Sequence, residues 1–360
     1  MSRPSLSAPA GLLALLLAAC GPAPAATPQL TLVPGTDSVM APFAEATDAA
    51  WLGGDRWAVL LPGGPEADIV DFGNQSRAPL GTKATLENPF SVFRATDTLY
   101  VAEPFKRRLT LWALDGTFVR NDPASDLVRG ALPRARDGEG RWYTELRPNA
   151  GPDGSGNRDS AVVVELSGAK VDTVAKLAPI DLAKVASPTG ERFERRVFSG
   201  VDRWGVYPDG TVWLARVYHN RVDFRLPNGK TVKGDPLPDR VLEVTRADRE
   251  LFVRKFPEEL RGTAEQLPFA PIKAAFTSAF ADTQGRIWLE GSRAVSDSSQ
   301  RYNVVGRNGK LLFVALLPGS GRVIAASPTH LLVADLMREG IRLRLAPMPA
   351  ISTATSDTTK

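Results

Sequence analysis

The sequence predicts an all-β protein, a six-bladed β-propeller of four-stranded antiparallel blades. Three observations lead there. The first is that residues 206–233 spell one complete strand meander. Val206 and Tyr207 end a strand, Pro208-Asp209-Gly210 turns the chain, and 211–217 is a β-rich run centred on Trp213. Tyr218-His219-Asn220 turns it again, Val222, Phe224 and Leu226 alternate with polar or charged neighbours, and Asn228-Gly229 is a strong hairpin signal. The second observation is recurrence. A polar turn followed by a β-run with a large apolar anchor occurs at Trp57, Tyr100, Trp142, Trp213, Trp288 and Leu332, and the intervals of 43, 42, 71, 75 and 44 residues are blade lengths with two insertions. The third is punctuation: Gly73-Asn74, Asp115-Gly116, Ser167-Gly168, Asn228-Gly229 and Asn308-Gly309 supply a hairpin turn after each of the first five anchors. With 31 glycines and 29 prolines, the composition suits many short strands joined by tight turns.

Taken in order, residues 1–19 have the layout of an export signal. Arg3 precedes an apolar run over 11–19, too short to cross a bilayer, and small residues lead to Cys20, the one cysteine in the chain. Residues 20–29 lack apolar periodicity and read as a flexible tether. The propeller is expected over 30–348, with a disordered polar tail at 349–360. The sixth unit runs out after three strands, so an N-terminal strand must supply the fourth and close the ring; the candidate is Leu30-Thr31-Leu32-Val33. The first insertion, 171–200, reads as a loop with a short helical turn. The second, 241–275, holds one short helix between blades 4 and 5: Thr245 caps it, and Leu251, Phe252 and Phe256 share a face. An aromatic that recurs once per blade in a second strand is expected to pack between adjacent sheets rather than to form a stacking platform.

The charges, 44 basic against 40 acidic, are interspersed without basic runs and argue against a nucleic-acid surface. In each blade the turn between the second and third strands points to one face of the propeller. Collected, these turns give Lys106, Arg107, Arg108, Arg147, Arg216, Tyr218, His219, Arg221, Arg293 and Arg338 as candidate ligand-binding residues, able to fork onto carboxylates or phosphates. Glu103, Glu145, Glu290 and Glu339 are the acids available to pair with them. Asp153, Ser155, Asn157 and Asp159 are a weak calcium candidate, weakened because Arg158 stands where a calcium loop has its glycine and Val164 where it has its bidentate acid. His219 and His330 have no ligand-like spacing, so no metal or other cofactor is expected, and no nucleophile elbow, Walker loop or dinucleotide fingerprint is present.

Leu17-Ala18-Ala19-Cys20-Gly21 resembles the lipobox of bacterial lipoproteins, in which the cysteine is acylated and becomes the first mature residue. The resemblance implies export and a lipid anchor at Cys20. Gly21, in place of aspartate, implies sorting to the outer membrane, facing the periplasm or the cell surface. Residues 99–116, LYVAEPFKRRLTLWALDG, resemble an NHL-type propeller repeat. With 206–229, 267–289 and 302–318, they make the chain similar to bacterial six-bladed propeller lipoproteins of the NHL and TolB-like kind. Those carry no shared catalytic signature, so the resemblance speaks for fold and not for activity. The reading is a monomeric, lipid-anchored, non-catalytic propeller of the cell envelope that binds a protein partner or an acidic ligand. The alternative is a propeller-type hydrolase or lyase with a metal in the central channel, as gluconolactonase-like and amidating-lyase-like enzymes hold one. Replacing Cys20 by serine is expected to move the protein from the membrane to the soluble fraction on cell fractionation; unchanged fractionation would remove the anchor.

Overall fold

The computed structural model describes residues 27–43, 45–61, 66–81, 86–147, 160–187, 190–238 and 240–350. Cys20 and the candidate calcium loop 153–159 lie outside the described residues, as do the signal segment and residues 351–360 of the tail.

Six four-stranded antiparallel sheets stand in a ring. They span residues 48–79, 91–123, 135–176, 203–232, 276–318 and 322–347, which are blades 1 to 6. The protein is a six-bladed β-propeller. In each blade the first strand is innermost and lines the central channel, and the meander then runs outward, except that blade 6 takes its outermost strand from the N-terminal end of the chain.

The sixth blade has three strands of its own, Arg322–Ala326, His330–Met337 and Gly340–Pro347. Its fourth comes from near the start of the chain, as expected, but it is β2, Ser38–Ala41, and not Leu30-Thr31-Leu32-Val33. β2 pairs antiparallel with Gly340–Pro347 in the register Ser38↔Arg344 to Ala41↔Ile341. Leu30 lies instead in β1, Gln29–Thr31, which runs parallel to the outer strand of blade 5, with Leu30 opposite Ala315. The reason is reach. The closing strand must lead straight into blade 1, and Pro34-Gly35 breaks the chain so that the earlier run falls on the neighbouring blade. In β2, Val39 and Ala41 are buried with Met40 exposed between them, the period-two signature of a strand with one face on a core.

All six anchors pack between sheets. Trp57 joins Val39, Leu332 and Leu343, so it sits between blades 1 and 6; Tyr100 packs edge-on against Trp142 of blade 3 at 5.1 Å. Trp213 clusters with Phe276, Ile287 and Leu289 of blade 5, and Trp288 with Val323, Leu331 and Val333 of blade 6. One anchor, Trp288, and the Tyr143 ring next to the anchor Trp142 are also pinned by the turn before them. The Asp282 carboxylate accepts the backbone N–H groups of Gln284 and Arg286, the Arg286 guanidinium and the Trp288 indole N–H, at 2.6–2.9 Å. Asp137 does the same in blade 3 with Glu139, Arg141 and the Tyr143 hydroxyl at 2.6–3.0 Å. An Asp-x-x-Gly-Arg turn therefore caps the hairpin and fixes the ring behind it. At the outer hairpin of blade 5, Gly309 has φ +76°, and a Cβ there would lie 2.4 Å from the Gly234 Cα at the end of blade 4, so glycine is required for both conformation and contact.

Both insertions differ from expectation. Leu182–Ser187 and Gly190–Arg195 form a β-hairpin rather than a helical turn: in the first strand exposed Lys184 stands between buried Ala183 and half-buried Val185, and charged cross-strand neighbours such as Lys184 and Glu191 pair. The second insertion holds two helices, α1 (Arg246–Val253) and α2 (Glu258–Glu265), separated at Pro257, whose fixed φ and missing N–H end one helix and suit the start of the next. Thr245 caps α1 through a box with Asp248, as its position suggested. The two insertions pack on one another. Phe252 of α1 meets Phe198, Phe256 and Phe269 at 5.2–5.9 Å, and the buried Lys273 ammonium joins Asp248 of α1 at 2.6 Å to the Arg293 carbonyl of blade 5 at 2.5 Å.

A chain lacking residues 1–33 is expected to unfold cooperatively in urea with a lowered midpoint, having lost β1 and the buried Leu32, whereas one lacking residues 1–41 should lose the cooperative transition because the ring has no closing strand. Indistinguishable transitions for the two would show that closure does not depend on β2.

Candidate functional site

The first strands start beside the turns that join second to third strands, since Asp48 pairs with Leu60, Ser91 with Ala102 and Arg203 with Ala215. That end of the channel opens into a cavity of about 880 Å³. Its walls come from the inner strands of blades 1 to 5 and from the segments flanking the β-hairpin insertion, including Leu182 and Arg195.

A charged rung surrounds the mouth. Five inner-strand residues stand level with the position two beyond the anchor on the second strand: Ala49 opposite Val59, Ser91 opposite Ala102, Arg203 opposite Ala215, Ser278 opposite Glu290 and Arg322 opposite Ala334. Arg134, whose N–H donates to the Tyr143 carbonyl at 2.9 Å, holds the corresponding place in blade 3. Three blades thus contribute a guanidinium to one ring, and the acids Asp48, Glu145 and Glu290 stand among them.

These charges are paired differently from those elsewhere in the molecule. Across the propeller, arginines close on acids at hydrogen-bond distance: Arg77 on Asp68 at 2.6 Å, Arg108 on Glu103 at 2.9 Å, Arg216 on Asp202 at 2.8 Å and Arg286 on Asp282 at 2.6 Å. At the mouth, Arg134 and Arg147 stand 3.8 and 3.9 Å from Glu145, and Arg322 stands 3.8 Å from Glu290. Arg203 has no acid within 4 Å among the described residues; it donates to the Thr277 carbonyl at 2.9 Å, and its Nε, like that of Arg322, is buried without a hydrogen-bond partner. Burial holds Arg134 and Arg203 below the usual arginine range, and for Arg203 the neighbouring Arg195, Arg134 and Arg322 push the same way. The acids answer in kind. Burial pushes the Glu290 carboxyl up against the pull of Arg322, Arg203 and Arg293. Asp48 is pushed up to about 6 by burial, although it accepts the N–H groups of Val92 and Ala49 at 3.0 Å and feels Arg134 and Arg322. The mouth is therefore a set of desolvated charges with unused donors, a state that an anion would relieve.

The residues read from the sequence fall around this mouth in three ways. Most are engaged with acids. Lys106 bonds Glu87 at 2.6 Å, Arg107 approaches Asp126 at 3.6 Å, Arg108 forks onto Glu103, Arg216 bridges Asp202 and Asp223, and Arg221 joins Asp223 at 2.8 Å. Arg293 donates to the Asp297 carbonyl at 2.8 Å, and the Tyr218 hydroxyl to the Pro179 carbonyl at 3.1 Å. His219 and Arg338 are exposed in their turns. Of the ten, Arg147 is the one that lines the cavity. Arg134, Arg203 and Arg322 were missed, because attention to the turns passes over the first residues of inner strands. The available signal was positional: an arginine at or just before the start of the inner strand in blades 3, 4 and 6. Among the described residues, no group of three or more histidines, cysteines, aspartates or glutamates is placed to hold a metal ion.

No protein-family model matches the chain, and no curated protein sequence does. Solved structures do. The chain is similar to regucalcin, a calcium-binding protein from Agrobacterium tumefaciens, at 10% identity over 90% of this chain and 98% of that one, with a TM-score of 0.46. It is similar to a streptogramin B lyase at 9% identity over 88% and 98% of the two chains, with a TM-score of 0.45, and to a luciferin-regenerating enzyme at 10% over 86% and 94%, with a TM-score of 0.44. These neighbours are six-bladed propellers, and at such identity no residue and no activity carries across.

Asp48 offers a test of the electrostatics. A carboxyl whose folded pKa is raised stabilises the fold below its unfolded value, and that contribution disappears as the pH rises through about 6. Asp48→Asn, which keeps one acceptor for the backbone, is expected to gain ~2 kcal/mol over wild type at pH 7.5 and to show no advantage at pH 4. Chemical denaturation at both pH values measures the difference; an equal effect at the two would mean that the wild-type carboxyl is not raised.

Proposed function

We propose that the protein is a lipid-anchored, non-catalytic binding propeller of the bacterial envelope, which takes an acidic ligand, a small anion or the acidic side chain of a protein partner, at the mouth of its central channel. The observation that carries this reading is the contrast in pairing. Arg77, Arg108, Arg216 and Arg286, which hold the fold, meet their acids at 2.6–2.9 Å; on the mouth rung Arg134 and Arg322 are held 3.8 Å from theirs and Arg203 has none within 4 Å among the described residues. Guanidiniums that stay unsatisfied in a half-buried ring are the arrangement expected of a receptor for carboxylate or phosphate, because the bound anion supplies the missing acceptors in a place where water screens poorly.

The cavity has the size of a small-molecule site, and its wall is rigid, since each guanidinium rides on an inner strand held on both sides by blades. The turn residues outside it, Lys106, Arg107, Arg108, Arg216 and Arg221, widen the positive field that steers an anion inward, but their local acids already hold them. The anchor at Cys20 and the outer-membrane address rest on the lipobox-like residues.

Arg203→Gln, which keeps the polar stem and removes the charge, is expected to weaken binding of inorganic phosphate at least tenfold in isothermal titration with little change in melting temperature, while Lys106→Gln on the rim should change it less than twofold. Equal losses for the two would place the ligand on the rim. Stoichiometric metal in the purified protein would favour the hydrolase or lyase alternative instead.

A further inference from the structure

Beneath the charged rung the channel changes character. One residue deeper along the inner strands stand Ala50, Val92, Ala135, Ala279 and Val323, with a single large side chain, Trp204, in blade 4. Val92, Ala135, Trp204 and Ala279 line the cavity, and Phe93, Phe280 and Arg136 follow one step further in, the Arg136 guanidinium being turned to the Tyr100 hydroxyl at 3.0 Å and over the Trp142 ring. The alanines of blades 3 and 5 leave space beside Trp204 where blades 3, 4 and 6 of the mouth rung carry arginine, and no charged residue stands on this deeper rung. Trp204 is held from its polar end, because its indole N–H donates to the Glu145 carboxylate at 3.2 Å, and the same carboxylate is the distant partner of Arg134. Its ring is therefore fixed at the boundary between the charged mouth and the apolar depth.

From this order of layers we infer that the ligand is an amphipathic anion: a carboxylate or phosphate head held by Arg134 and Arg203 on the cavity wall, with Arg322 adding to their field, and an apolar body, aryl or short alkyl, lying in the small-residue rung against Trp204. The inference rests on the anion-binding reading above and deepens it, since a free inorganic anion would use the mouth alone and leave the depth filled with water against alanine, valine and phenylalanine. The head supplies an acceptor to guanidiniums whose acids stand 3.8 Å away or, for Arg203, beyond 4 Å among the described residues. The body displaces water from apolar wall, an effect of about fourfold in affinity for each methylene buried. A ring stacked on Trp204 adds the preference of aromatic faces for one another. The head is the part that Arg203 and its neighbours recognise, and both carboxylate and phosphate satisfy it with forked bonds.

The experiment compares four probes on the full protein by isothermal titration: inorganic phosphate, phenyl phosphate, acetate and octanoate. Phenyl phosphate is expected to bind at least tenfold more tightly than phosphate, and octanoate at least tenfold more tightly than acetate; whichever pair binds more tightly identifies the head. Ala279→Leu, which fills the small-residue rung with an apolar side chain of similar polarity, is expected to remove that tenfold gain while leaving phosphate and acetate within twofold. Circular dichroism and the melting temperature check that the variant folds, and Ala135→Leu on the neighbouring blade gives a second reading if it does not. Equal affinities within each pair would overturn the amphipathic class and leave the anion site standing. Binding of phenyl phosphate and octanoate that survives Arg203→Gln unchanged would overturn the placement of the head, and with it the anion site. Failure of all four to bind folded protein would overturn both.

Discussion

Six twisted sheets, each apolar on both faces, have nothing to cover them except one another, and a circle is the arrangement in which every face finds a neighbour. The interaction on which the propeller depends is this face-to-face burial, concentrated in the large side chains of the second strands. Trp57, Tyr100, Trp213, Trp288 and Leu332 are all at most 4% exposed. An aromatic ring contributes several kcal/mol when it leaves water, and the stack works only if no blade is missing a partner. The N-terminal strand β2 therefore matters beyond its four residues: by completing blade 6 it protects the interface with blade 1, where Val39, Ala41 and Trp57 share one cluster.

The same constraint makes the site. Because the blades are held by their middles, the inner strands are rigid but their first residues project past the packed layer into the channel mouth. Charge placed there is half-desolvated by the ring and cannot relax toward a counter-ion as a surface side chain can. Elsewhere the chain resolves such tension with short pairs, as with the Glu103 carboxylate, which holds Arg108, the Thr110 hydroxyl and the Glu87 N–H, or with Asp335, which takes both Arg342 and Arg344. At the mouth it leaves the pairs open. The two insertions add to the enclosure: the β-hairpin brings Arg195 to the wall, and the α1–α2 unit braces it through Phe198 and through Lys273, which reaches the backbone of blade 5.

What could be read in advance followed from local rules. Anchors, turns and blade count were legible because strand alternation and Asx-Gly turns are short-range signals. The closing strand was placed one short run too early, because 30–33 and 38–41 carry the same apolar character and only the distance to Asp48 separates them. The first insertion was misread as helical for a similar reason: alternation is weak over 182–195, where the second strand, Gly190–Arg195, carries arginine and glutamate on both of its faces.

The sequence by itself determined the architecture, since a turn and an anchor repeated six times, the first five followed by a hairpin turn, leave one way to bury the faces that result. It also determined that charge is dispersed rather than clustered, and it carried the lipobox-like residues around Cys20. Only the tertiary structure decided which arginines are spoken for. Arg216 and Arg221 look as available in the sequence as Arg203 and Arg322. The first two meet Asp202 and Asp223 across the blade, whereas the second two arrive from different blades at a ring where no acid comes within hydrogen-bond reach. Whether a charge is paired depends on distances between strands far apart in the chain, and those are set by the closure of the ring.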